Sequence, residues 1–236
     1  VDSADLSAHL IFWIQTMTRF TQTLFAAAAT TLMLGAAQAS IVTFETASSL
    51  TGVQSSAANY QTAVNQAFID AGGAAHSAVV PLFNNLNNGS VFGGANSNLA
   101  TRATISFGLA NAATLDLRTG VDFGWGGAMF LDGMALGYKS SDMWWGGNYA
   151  DPSQSFQFNG LALGAGNHSL TLYGLEHCCD GGSQAQFSLN GAAFTTFGAA
   201  DGLAAAVPEP ESYALMLAGL GALVVVSRRQ RPGQRG

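Results

Sequence analysis

Charge is what this 236-residue chain has least of: 9% of its residues are Asp, Glu, Lys or Arg, against about 25% in ordinary soluble domains. Lysine occurs once, at Lys139, and the eight basic residues in all are too few for the basic stripe that nucleic-acid binding requires. Cysteine occurs twice, which excludes a disulfide-rich scaffold. Catalytic motifs are missing as well: there is no Gly-x-Ser-x-Gly elbow, His-Glu-x-x-His pair or Walker loop. Four histidines, one of them the early His9, leave few general bases. A hydrophobic share of 48% is too high for a disordered chain, and the 29 glycines show no three-residue period of the collagen kind.

The few charges are unevenly placed. Arg228, Arg229, Arg231 and Arg235 crowd the C-terminal end and Arg19 lies near the start. Between Ser40 and Val207 three basic residues stand against ten acidic ones, a net of −7. Such asymmetry predicts targeting segments around a folded centre.

The front segment has the three parts of an export signal in order. Residues 17–39 begin with Met17 and Arg19, continue through an apolar run from Leu24 to Gly35, and end on Ala37-Gln38-Ala39. This predicts a signal peptide cut by signal peptidase between Ala39 and Ser40. Residues 1–16 carry Asp2 and Asp5 and precede a good initiator. They read as an over-extended gene start, with a functional extension as the alternative.

The rear segment, 207–236, opens with Val207-Pro208-Glu209-Pro210-Glu211, an extended break because proline fixes φ and disfavours helix before it. Residues 212–227 carry no charge and Arg228, Arg229 and Arg231 follow at once. About sixteen apolar residues lie at the short edge of a membrane-spanning helix, and the arginines predict a cytoplasmic end. Pro208, Glu209 and Pro210, a short apolar helix and an Arg cluster together resemble the PEP-CTERM sorting signal of Gram-negative bacteria. The resemblance implies recognition by an exosortase, removal of the tail near the Pro-Glu-Pro motif, and a life beside exopolysaccharide and biofilm. The alternative is an ordinary single-pass anchor; in both, the middle lies outside the inner membrane.

Residues 40–206 are long enough for one core. Asn59 to Ala71 reads as a helix, with Tyr60, Val64 and Phe68 at i, i+4 and i+8. Elsewhere apolar residues alternate with period two: Ile105, Phe107 and Leu109; Val121, Phe123 and Trp125; Phe156 and Phe158; Leu170 and Leu172; Phe187 and Leu189. Asn87-Asn88-Gly89, Asp132-Gly133, Asn159-Gly160, Gly164 to Asn167 and Asn190-Gly191 punctuate them, and several suit hairpin turns. The pattern predicts a mainly β protein, an antiparallel β-sandwich or jelly roll with one short helix. Ser77 to Ala103 reads as a long loop with one short strand near Val79 to Phe83. Phe130 to Leu136 and Gly164 to Gly174 are together loosely similar to PA14-like and fibro-slime β-domains, a likeness that implies a sandwich often found handling carbohydrate.

Two stretches stand out as candidate sites. Glu176-His177-Cys178-Cys179-Asp180-Gly181-Gly182 holds both cysteines, adjacent. Thiols seldom persist outside the inner membrane, and within one chain each cysteine has only the other as partner. A vicinal disulfide at a loop tip is one reading; a structural turn, buried thiols and an intermolecular bridge are the others. Cys-Cys-x-Gly resembles the CCXG group of PEP-CTERM proteins. Zinc on His168, Glu176, His177, Cys178, Cys179 and Asp180 is disfavoured, because the spacings of known zinc sites are missing. Calcium on Asp132, Asp142, Asp151 or Asp180 is a weak candidate. In Trp144-Trp145-Gly146-Gly147-Asn148-Tyr149, neighbouring residues on a strand face opposite ways, so one reading puts one Trp in the core and one exposed, and the other puts both in the core or its lid. An exposed ring beside Asp and Asn suits sugar, its face on C–H groups and the polar neighbours on hydroxyls.

These readings converge on an exported, non-catalytic envelope or matrix protein without cofactor, binding exopolysaccharide through Trp144, Trp145, Tyr149 and Asp180. A purely structural surface protein is the alternative, and a secreted hydrolase with clustered carboxylates a third.

Overall fold

The computed structural model describes residues 40–179 and 181–204. The signal peptide with Ala37 and Ala39, residues 1–16, the segment 207–236 and Asp180 lie outside the described residues. Among the described residues no helix is long and apolar enough to cross a membrane.

The chain runs β1 (Ile41–Ser48), α1 (Ala57–Ala71), β2 (His76–Val80), α2 (Asn88–Phe92), β3 (Leu99–Leu109), β4 (Ala113–Gly120), β5 (Asp122–Phe123), β6 (Gly127–Leu131) and β7 (Met134–Lys139). It continues through β8 (Met143–Trp144), β9 (Ser155–Leu163), β10 (Gly166–Glu176), β11 (Gln184–Leu189) and β12 (Thr195–Thr196). A six-stranded sheet has the order β2-β1-β3-β10-β6-β7, a four-stranded sheet β12-β11-β4-β9, and β5 and β8 form a two-stranded ribbon. Every strand pairing is antiparallel.

The two larger sheets bury a common core, and the alternation read from the sequence supplies it. Ile105, Phe107, Leu170, Leu172 and Met129 from one sheet meet Leu115, Leu117, Phe156 and Phe187 from the other. The six-stranded sheet is covered on its second face too. There α1 lays Tyr60, Val64 and Ala67 against Ala47, Ala100, Ala128, Phe130 and Leu175. The alanines on β1, β3 and β6 let the helix come close; larger side chains there would hold it off. Ser56 caps α1 by accepting from Asn59 N–H, and the helix begins two residues before the Asn59 expected.

Two sequence readings are revised. Ser77 to Ala103 is more ordered than a long loop. It holds β2 and the five-residue α2, where Asn87 and Ser90 form a reciprocal capping box, and Phe83 and Leu86 enter the core. Apolar periodicity does not reveal so short a helix; its signal is the cap. Asn159-Gly160 is no turn but a bulge inside β9, two residues opposite Asp116. Gly160 takes φ 72 there, and its N–H donates to Asp116 Oδ1 at 2.7 Å. Asp132-Gly133 does turn β6 into β7, with φ 50 and 76, as the two-residue hairpin requires.

Candidate functional site

The ribbon of β5 and β8 sits where β10 leaves the six-stranded sheet, and it organises one end of the sandwich. Phe123 and Met143 are paired and point into the core, so their neighbours Asp122 and Trp144, also paired, share the opposite face. Trp144 is 73% exposed. Asp122 is buried, and its carboxylate lies against Gly181 in the loop after the two cysteines. The Cα atoms of Cys178 and Cys179 are 3.7 Å apart, with their Sγ atoms at bonding distance. Both residues are exposed. His177 stacks on Trp125 with ring centres 4.8 Å apart.

Glu176, the last residue of β10, holds this loop down. It is 1% exposed. Its Oε2 accepts from Gly124 N–H at 2.7 Å and its Oε1 from Cys178 N–H at 2.7 Å. Burial raises its pKa above the ordinary carboxylate value, the backbone donors working against that and the Asp142 charge adding to it. Burial also pushes Asp122 up to about 6, with Glu176 adding, the Gly181 N–H opposing, and Asp142 adding. Three carboxylates, Asp122, Glu176 and Asp142, thus lie close enough for their charges to interact, at the end of the domain where Trp144 pairs with Asp122. The sequence named Glu176 and Asp142 only as metal ligands and missed Asp122. Its one signal is an acid between Val121 and Phe123, in a run whose other members are apolar.

The other sequence-predicted residues are dispersed. Trp145 is half-buried and lies over Gly120, where a Cβ would have no room beneath the indole. Tyr149 packs tilted against Trp145, ring centres 5.4 Å apart, and its hydroxyl reaches Gln184 Oε1 at 3.1 Å. Burial pushes the Tyr149 phenol up to about 12, against the opposing influence of the Gly120 backbone and Arg118. The Trp pair divides as strand alternation requires, although the inner ring packs on the outside of the four-stranded sheet and not in the core. Asp132 accepts from Ser169 N–H at 2.8 Å and pairs with His168 Nδ1 at 2.8 Å, and Asp151 caps the turn at Pro152–Gln154. Ser40 is buried beside β1. His168 and Glu176 stand eight residues apart on one strand, about 26 Å at 3.3 Å per residue, so they cannot share an ion. Among the described residues no three His, Cys, Asp or Glu side chains gather to hold a metal.

Comparison with known sequences settles the tail. Residues 206–231 match the PEP-CTERM protein-sorting motif. This motif, which implies exosortase processing, contains Pro208, Glu209, Pro210, Arg228, Arg229 and Arg231. No curated protein matches the chain. Among solved structures it is similar to a PA14 sugar-binding domain from an RTX adhesin, at 14% identity and a TM-score of 0.45, over 73% of this chain and 100% of that one. It is also similar to the PA14 domain of the MpAFP antifreeze protein, at 9% identity and a TM-score of 0.43, over 71% of this chain and 91% of that one. A third is an anti-sigma factor domain-containing protein from Clostridium clariflavum, at 11% identity and a TM-score of 0.44, over 72% of this chain and 49% of that one.

Proposed function

We propose that this chain is an exported, exosortase-sorted envelope or matrix protein whose β-domain binds glycan without catalysis. The observation that carries the reading is the ribbon end: an indole 73% exposed, paired across the ribbon with Asp122, beside the exposed Cys178-Cys179 tip. The indole face suits sugar C–H groups, and the exposed Asp142 carboxylate suits hydroxyl donors. The sorting motif supplies the route. Signal peptidase and exosortase act during passage, the C-terminal segment 212–227 holds the chain in the inner membrane until it is cut, and the host's exopolysaccharide is the ligand at the cell surface.

Trp144→Ala tests the contact. The side chain is exposed, so folding survives, and retention on the host's own exopolysaccharide is expected to fall by roughly three- to tenfold, the worth of one stacked aromatic. Wild-type protein that is not retained, or a variant retained equally well, overturns the reading.

Intact mass of the exported protein tests the processing. It is expected to start at Ser40, to end near Pro208-Glu209-Pro210, and to be two hydrogens lighter than the reduced chain, because oxidising surroundings pair adjacent thiols. A full-length, reduced chain recovered from the cytosol contradicts the assignment.

A further inference from the structure

The outer face of the four-stranded sheet carries an arrangement that the Trp144 edge does not use. β4 runs inside that sheet and alternates Leu115 and Leu117, in the core, with Asp116 and Arg118, which face out. Cross-strand register sets Gln157, Arg118, Gln186 and Thr196 in one row. The Arg118 guanidinium lies 4.3 Å from the centre of the Tyr149 ring and 3.9 Å from that of Phe194. Since Trp145 packs tilted against Tyr149, the four side chains form a continuous half-buried strip, Trp145–Tyr149–Arg118–Phe194.

Arg118 stands apart from the domain's other cations. Arg102 clasps Glu45 through two bonds of 2.6 and 2.9 Å, and Lys139 donates to the Pro152 carbonyl at 2.9 Å. Arg118 donates Nε–H to Gln186 Oε1 at 2.7 Å. Its Nη1 and Nη2 make no hydrogen bond among the described residues, and no carboxylate there lies within ion-pair distance. The nearest acid along its own strand face is Asp116, whose Oδ1 is engaged by Gly160 N–H. The guanidinium is therefore held in place by ring stacking and one amide, with the fork that matches a carboxylate left open. A group fixed before its ligand arrives loses little entropy on binding.

We propose that this strip is a subsite for a carboxylate-bearing sugar, such as a hexuronate unit of an acidic polysaccharide. The inference rests on the glycan reading above for the class of polymer and adds the charge of one of its units. Nη1 and Nη2 of Arg118 take the carboxylate as a bidentate pair. The Tyr149 and Phe194 rings meet the C–H edge of the pyranose, and Gln157, whose amide nitrogen is held by the Tyr149 carbonyl and Ser155 Oγ, accepts from a hydroxyl through Oε1. The net charge of −7 between Ser40 and Val207 does not forbid this: charges more than about 8 Å away are largely screened at physiological ionic strength, and Asp116, nearer at about 7 Å along the strand, is engaged by the Gly160 N–H.

The test is calorimetric titration of the exported protein with oligogalacturonate, neutral dextran and poly-glutamate. Oligogalacturonate is expected to bind, more weakly as salt rises, with the other two binding at least tenfold more weakly. Arg118→Gln is expected to weaken oligogalacturonate binding about tenfold or more, as removal of a charge-assisted pair does. Arg118→Lys loses most of the same affinity, since an ammonium lacks the planar fork. Val79→Ala, an exposed change on β2 at the edge of the other sheet, leaves oligogalacturonate binding unchanged, while retention of wild type and Trp144→Ala on the host's exopolysaccharide reads the Trp144 edge separately from this subsite. Should Arg118→Gln not fold, Phe194→Ala removes one ring and is expected to cost several-fold. Unchanged binding in a folded Arg118→Gln or Phe194→Ala variant, no binding of oligogalacturonate by wild type, or equally tight binding of poly-glutamate overturns the proposal.

Discussion

Asp122→Asn will make the domain more stable at pH 7, by up to about 3 kcal/mol. The folded carboxyl titrates at about 6 against an ordinary 3.8, and each unit of difference is worth about 1.4 kcal/mol. The folded state therefore binds a proton more tightly than the unfolded chain. Stability from this group is fully present below about pH 3.8, is lost as pH rises through 6, and is at its lowest above that. Asparagine keeps an oxygen for the Gly181 N–H and carries no charge to bury beside Glu176 and Asp142. Urea unfolding of both proteins from pH 4 to 7 reads the effect. The gap should be wide at pH 7 and close toward pH 4. Glu176 shifts in the same direction, so the wild-type curve keeps part of its slope in the variant. A variant less stable than wild type at pH 7, or a gap independent of pH, contradicts this account. The result also bears on the surface above. An acid that changes charge near pH 6 is the cross-strand neighbour of the indole proposed to hold sugar, so that edge is more negative in neutral than in mildly acidic surroundings.

Phe107→Ala will have the opposite sign and a larger size. Phe107 is fully buried near the C-terminal end of β3. Its ring lies 5.6 Å from that of Phe197, which packs on Phe187 at 4.7 Å, and so bridges the two large sheets. Its other neighbour is His168, 5.5 Å away, which is tied to the turn at Asp132. Truncation removes the ring and leaves a cavity that two hydrogen-bonded sheets cannot close, a loss of about 3–5 kcal/mol. That is a large share of the 5–15 kcal/mol typical of a domain. Thermal unfolding should show a fall in midpoint of roughly 6–20 °C, given about 2–4 °C per kcal/mol at this size. A fall of only a few degrees would mean that the sheets slide together to fill the gap.

The antiparallel fold was legible because one face of a strand must be apolar when it lies on a core, and alternation survives in a single chain as a period of two. Ile105-Phe107-Leu109 and Leu170-Leu172 occupy the shared core as their spacing implied. The helix at Tyr60 and Val64 was legible for the parallel reason, a period near four. Short elements held by polar contacts were not. α2 rests on a cap between Asn87 and Ser90, and the bulge at Asn159-Gly160 rests on one carboxylate, Asp116.

Chain composition and order alone determined the segments that need no tertiary contact to be recognised. The Pro-Glu-Pro motif, the apolar stretch and the trailing arginines are read as a linear signal, and their match as a sorting motif depends on spacing only. The burial of Asp122 and the meeting of Arg118 with Tyr149 and Phe194 were decided by the fold. Each depends on which strands become neighbours. That choice is made by the packing of two sheets around one core, and no local stretch of sequence carries it.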